Sequence, residues 1–174
     1  MGESTTVKDR TAVRTPMQWN DGKNGGFSNA RPGKLTMPVV EGGYSPEHVN
    51  VSDQRHDPDS LLLFIRRLTE RYRASAEIGW GEFSVVEQRE TNHAVFAHQV
   101  ANGHGRMIAV HNLSPDATVV DLVIEDADET HRLVDLLVDG STTQVGPGGA
   151  VAVTMDGYGY RWLRLLRQDE KRLS

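Results

Sequence analysis

Residues 14–28 read RTPMQWNDGKNGGFS. No apolar residue recurs there at helical or strand spacing, and Pro16 removes a backbone donor. The Asn, Asp and Gly residues are turn formers. Yet Trp19 and Phe27 stand among them, which is unusual for a plain spacer. Working outward, residues 1–13 show no fold element either. From residue 29 to residue 56 Gly, Pro, Ser and Asn still dominate, so no helix or long strand is expected over 1–56. A structureless stretch of that length is uncommon in a compact domain. Met17, Trp19, Phe27 and the TMPVV run at 36–40 favour a functional loop draped over something larger, because disordered segments are poor in such residues.

The pattern then changes. Residues 57–75 read DPDSLLLFIRRLTERYRAS. Leu61, Ile65, Leu68 and Tyr72 recur at helical spacing, with Leu62 and Leu63 widening the stripe. Asp57 is the expected cap and Pro58 the expected first helical residue, which predicts a helix over 58–74. A single helix cannot bury such a stripe alone. Left exposed, it favours self-association or a larger partner. From about residue 80 the period becomes strand-like, in short runs rich in Val, Ile, Leu and aromatics such as GEFSVVEQ at 81–88, with turn clusters between them such as DGSTTQVGPGG at 139–149. In TVVDLVI, Val120, Leu122 and Ile124 point one way and Asp121 the other. RMIAVHN at 106–112 is apolar on both faces, as in a strand packed on both sides. About seven such strands predict an antiparallel sandwich of roughly 90 residues. The expected divisions are a loop segment at 1–56, a helix at 57–78, a β-sandwich at 79–168 and a tail at 169–174.

The 174 residues carry a net charge of −5, which argues against a general nucleic-acid binder or docking on anionic membranes. No apolar run approaches the roughly 20 residues needed to span a bilayer. The first ten residues lack the apolar stretch of a secretory signal. With no cysteine, neither disulfides nor thiolate metal sites are available, and a cytoplasmic location is expected.

RTPMQW followed by NGGFS resembles the segment after the last barrel strand in glycoside hydrolase family 13, the α-amylase family. Within it the likeness is to the trehalose synthase and α-glucosidase branch. Arg14–Trp19 and Asn24–Ser28 carry the match, with Gly25 where alanine is usual. VNVSDQRHDPDSLL at 49–62 resembles a second segment of that branch. HNLSPDA at 111–117 and GYGYRWLRL at 157–165 resemble strand ends of its C-terminal sandwich. The resemblance implies a mainly β fold: a C-terminal antiparallel β-sandwich preceded by the last long loop and helix of a (β/α)8 barrel. It implies a parent acting on α-glucosides such as maltose or trehalose, by interconversion or hydrolysis, with no cofactor. Retaining glycosidases need two carboxylates about 5 to 5.5 Å apart. The resemblance places them on earlier strands, so no catalytic residue is expected here and the chain alone is expected to be inactive. It also implies that Arg14 binds the terminal glucose, a role that suits the fixed donor fork of a guanidinium. Two other readings stand beside this one: a free-standing sandwich that binds carbohydrate or protein, and a subunit that completes a split barrel.

The remaining candidates have blander readings. Gln18 and Trp19 are expected to be loop scaffold. His93 and His98, five apart, would face opposite sides of a strand. His48, His56, His104 and His131 fall in loop-like stretches, so no metal site is expected. EDADET at 125–130 lacks the glycine and spacing of a calcium loop and reads as a hairpin turn. GPGG at 146–149 has no strand-to-helix context and is a turn rather than a phosphate cradle. Tyr158, Tyr160 and Trp162 read as core or interface aromatics more than as a sugar platform.

Overall fold

The structure, a computed structural model, describes residues 14–103, 105–138 and 141–170. Two units divide the chain, Met1–Arg67 and Leu68–Ser174.

In the first unit, residues 14–50 turn repeatedly, with one-turn 3-10 segments at Lys23–Gly26, Pro32–Lys34 and Gly42–Tyr44. The expectation of no helix before residue 57 is corrected. Helix α1 spans Val51–His56. Its cap is Asn50, in extended conformation, whose side chain accepts from the Asp53 amide at 2.9 Å. Six residues are too few for a periodic apolar stripe, so only the cap announced it. The next helix, α2, spans Leu61–Arg73 rather than starting at Pro58. Asp57 ends α1 instead, its backbone N–H returning to the Asp53 carbonyl. Its side chain accepts from the Asp59 amide, making a local turn. Ser60 starts α2: its Oγ accepts from the Leu63 amide at 3.3 Å. Along α2 the apolar stripe is largely open, with Leu61 69% and Tyr72 52% exposed.

The second unit continues through a short helix, α3 (Ala76–Trp80), into nine strands among the described residues. They are β1 (Glu82–Val85), β2 (Glu87–Gln88), β3 (Val95–Asn102), β4 (Gly105–Asn112), β5 (Thr118–Val123), β6 (His131–Asp135), β7 (Thr142–Gln144), β8 (Ala150–Met155) and β9 (Tyr160–Arg167). They form two sheets ordered β1-β3-β4-β9-β6-β7 and β2-β5-β8, with every pair antiparallel. The core lies between the sheets. Ile108, Val110, Leu133 and Leu163 of the larger sheet pack with Val120, Leu122, Val151 and Met155 of the smaller. Asp121 faces solvent, as alternation requires. Strand β4 is buried on both faces. Ile108 and Val110 join the main core, while Met107 and Ala109 join a second cluster with Ile78 and Trp162.

Two strands differ from the expected set. GEFSVVEQ is not one strand but β1 and β2, which pair in different sheets. The switch occurs at Val86, whose side chain enters the core while its amide still bonds the Ala97 carbonyl at 3.0 Å. Strand β7 lies inside a stretch read as a turn. Its three polar residues carry no strand signal and extend because they pair with β6 at the sheet edge.

Three polar groups fix the connections of this unit. Glu77 of α3, buried, is bonded by Arg164 Nε of β9 at 2.8 Å, and Arg164 also donates to Ser75 Oγ. This pins α3 to the outer face of the larger sheet. Asp135 closes β6 by accepting from the Leu137 and Val138 amides and from Arg161. Asn112, also buried, donates to the Asp116 and Asp156 carbonyls and accepts from the Ser114 amide and hydroxyl. It ties HNLSPDA to the β8–β9 turn, which explains why both stretches stood out in the sequence.

Candidate functional site

The loop at 14–28 is built by its own side chains. The Trp19 and Asn20 amides both donate to the Gly25 carbonyl, at 2.7 and 3.2 Å, closing a tight ring. Asn24, buried at φ 54°, donates through Nδ2 to the Ser28 and Ala30 carbonyls at 2.7 and 2.9 Å. Gly25 follows at φ 64°, in the left-handed region where a side chain costs about 1–2 kcal/mol. A Cβ there would also stand 3.3 Å from the Gln18 Cα and from the Pro46 ring. Glycine in place of alanine therefore suits this loop's backbone.

Gln18 is scaffold, as expected. Its Nε2 donates to the Tyr44 carbonyl at 3.1 Å and to the Val49 carbonyl. The loop's own carbonyls serve α1: the Val51 amide donates to Gln18 O and the Ser52 amide to Trp19 O, at 2.9 and 3.0 Å. Together with Asn50 they satisfy the orphan donors of the helix start. Gln54 then reaches α2, its Oε1 accepting from the Leu62 amide and its carbonyl from Ser60 Oγ. Asn50, Gln54 and Ser60 all belong to the 49–62 stretch that carries the second resemblance. Each closes a bond that a generic polar residue would not.

Two clefts flank this loop within the first unit. One, of about 610 Å³, is lined by Asn24, Gly25, Leu35, Pro38 and His48 among others. The other, of about 330 Å³, is lined by Thr15, Pro16, Met17, Tyr44 and Val49 among others. Arg14 is exposed and directly precedes Thr15. Trp19 and Phe27 are about half exposed.

The titratable groups with displaced pKa values lie in the second unit. Asp128 Oδ1 accepts from the Thr130 hydroxyl, the Thr130 amide and His131 Nδ1, at 2.5, 2.9 and 2.9 Å. The hydroxyl, then the amide, then the imidazole hold its carboxyl down at about 2. EDADET is thus a turn closed by Asp128. GPGG is likewise a turn, Pro147–Gly149, where a Cβ on Gly149 would meet the Ile124 carbonyl at 2.0 Å. His98 and His111 stack with ring centroids 5.9 Å apart. Burial lowers both pKa values, and His111 lowers that of His98 further. Sequence spacing missed this pair because the register of β3 on β4 creates it. His93, expected on a strand opposite His98, lies in the turn before β3. His104 falls outside the described residues. Trp162 packs against the second cluster, whereas Tyr158 sits in the β8–β9 turn and is exposed. No helix among the described residues is long and apolar enough to cross a membrane.

Comparison with known proteins agrees with this architecture. The α-amylase catalytic domain model matches residues 2–81, and the model for the C-terminal domain of sucrose hydrolase-like proteins matches residues 105–164. A trehalose synthase of Pimelobacter sp. (strain R48) is 32% identical over 97% of this chain and 30% of its own length. A trehalose synthase/amylase of Mycobacterium tuberculosis is 30% identical over 95% of this chain and 28% of its own. The chain thus spans less than a third of the length of these relatives. Among solved structures, the trehalose-6-phosphate hydrolase of Bacillus licheniformis shares the fold with a TM-score of 0.63 at 22% identity, over 92% of this chain and 27% of that one. The motif loop, the sandwich and these matches agree: the chain belongs to glycoside hydrolase family 13, the α-amylase family, among proteins similar to trehalose synthases and α-glucosidases.

Proposed function

We propose that this chain serves as the C-terminal portion of an enzyme that interconverts or hydrolyses α-glucosides such as maltose and trehalose. Residues 1–56 would supply an active-site loop, 57–78 the last barrel helix, 79–168 the terminal sandwich and 169–174 a tail. The observation that carries this reading is the loop at 14–28. Gln18, Asn24 and the Gly25 carbonyl hold its backbone in place, and Arg14 stands exposed at its head beside a cleft. A guanidinium so placed offers a planar set of donors to sugar hydroxyls. Loops at the C-terminal face of a barrel are where such a site is built. The exposed stripe of α2 would meet the barrel, or a second copy of the chain. A cytoplasmic location fits the cysteine-free sequence.

Two experiments test the reading. The chain alone, incubated with maltose, trehalose and a nitrophenyl glucoside, is expected to show no turnover, because the resemblance places the catalytic carboxylate pair outside it. Turnover that tracks the repurified chain would overturn this. In a longer polypeptide that carries the barrel, Arg14→Ala should remove charged hydrogen bonds worth about 1.5–3 kcal/mol, or about ten- to a hundredfold in kcat/KM. Unchanged kinetics in a folded variant would reduce Arg14 to a loop brace.

A further inference from the structure

The outer face of the larger sheet carries a row of rings that the reading above leaves without a task. His98 of β3 is its centre. Its ring lies 5.3 Å from Phe83 of β1, 5.2 Å from Phe96 and 5.9 Å from His111 of β4, the last with planes only 6° apart. The register produces this. His98 is paired with Val85 and Ala109, so Phe83 and His111 are its diagonal cross-strand neighbours.

Strand β1 adjoins this row through Phe83. It has four residues, all exposed, and lies at the sheet edge. Besides its ladder with β3, it is held by Phe83 on His98 and by the Gln99–Ser84 bond at 3.0 Å. Short edge strands with little buried surface are among the first parts of a fold to open.

His98 Nδ1 is buried and has no hydrogen-bond partner. On a neutral ring this is an unused lone pair. On a protonated ring it becomes a donor with nothing to accept it, beside a parallel imidazole that would carry the same charge. Among the described residues, the neighbouring strands bring no carboxylate to this row. From β1 the row meets Phe83 and Val85, while Glu82 alternates to the other face. From β4 it meets Ala109 and His111, and from β9 Tyr160, opposite His111, and Trp162. Arg161 alternates inward to Asp135. The charged groups that α3 and β9 bring to this face, Glu77 and Arg164, are bound to each other. Burial already holds both histidines below their usual pKa.

We propose that the His98–His111 stack is a proton-operated latch on β1: protonation turns His98 out of the row, unseats Phe83 and releases the edge strand from β3. β1 begins one residue after the segment that the catalytic-domain model matches. The latch therefore sets how firmly the larger sheet holds the chain just after the segment matched by the catalytic-domain model. The direction follows from linkage. Once β1 is released, His98 is open to water, approaches the ordinary histidine pKa of about 6.5 and takes up a proton more readily than in the stack. The latched state is therefore favoured above that pH and loses ground below it.

Amide hydrogen exchange of the whole 174-residue chain at pH 7.5 and 5.5, corrected for intrinsic exchange rates, tests this. Opening of β1 should rise up to about tenfold at pH 5.5, the limit for one histidine over one pH unit, while β4 and β9 stay protected. His98→Phe keeps a ring in the row but cannot be protonated, and should abolish the pH response. His111→Phe should reduce it and serves as the second variant should the first fail to fold. Equal protection of β1 at both pH values, or the full response surviving in a folded His→Phe variant, would overturn the latch.

Discussion

Residues 14–60 and the sandwich at 82–167 solve the same problem by opposite means. The sandwich closes over a continuous apolar core in which Ile108, Leu122, Leu133 and Val145 are fully buried. The 14–60 segment contributes no residue to either apolar cluster. Apart from Pro46, its buried side chains are polar, namely Asn24, Asn50 and Ser60, and each bonds a particular backbone group. Dispersion and hydrophobic burial are non-directional, so many apolar sequences can fill a sandwich. A side chain that must reach one carbonyl can seldom be exchanged. Identity is therefore written densely in the loop and thinly in the strands.

The largest effect that would test this contrast is in the core. Leu122→Ala should cost about 2–5 kcal/mol, from lost burial and the cavity left behind. A urea titration followed by hydrogen exchange should show strands β3–β9 destabilised, with the 14–60 segment unchanged. Equal loss in both would mean that the two regions unfold together. Next comes Asn50→Ala, which removes the cap of α1 and the bond to the Pro46 carbonyl. The cost is about 0.5–2 kcal/mol. It should appear as faster exchange at residues 51–56 while the sandwich amides hold. The smallest is Asp128→Asn. The carboxylate's pKa of about 2 means that its contribution is present above its usual value near 3.8 and lost as pH falls toward 2. The parent should therefore lose more stability than the variant between pH 4 and pH 2. Identical acid unfolding curves would show the Asp128 turn to be energetically idle.

Some of this was open to sequence reasoning. The alternation in TVVDLVI placed Val120, Leu122 and Ile124 inward, and the doubly apolar RMIAVHN marked β4 as packed on both faces. Both follow from the two-residue period of a strand, which depends on nothing distant. The character of 14–28 as a fixed loop was equally plain, since its residues are turn formers and local donors. The start of α2 was misplaced because Asp57–Pro58 is a sound helix opening by itself. The folded chain turns once more before α2 begins, through the Asp57–Asp59 turn and the reach of Gln54 from the preceding helix to the Leu62 amide.

What the amino-acid order determined by itself was local: the periods of the strands, the stripe of α2, and a motif loop whose polar side chains bond within a few dozen residues. What only the tertiary structure decided was pairing. GEFSVVEQ divides between two sheets because Val86 finds the core from between them. Thr142–Gln144 becomes a strand because β6 offers an edge. His98 and His111, thirteen positions apart and unremarkable in sequence, come face to face because β3 and β4 meet in one register rather than its neighbour. A one-residue slip would send one of the two rings to the opposite face of the sheet. Register is set by the summed burial of whole strands, and no short window of sequence contains that sum.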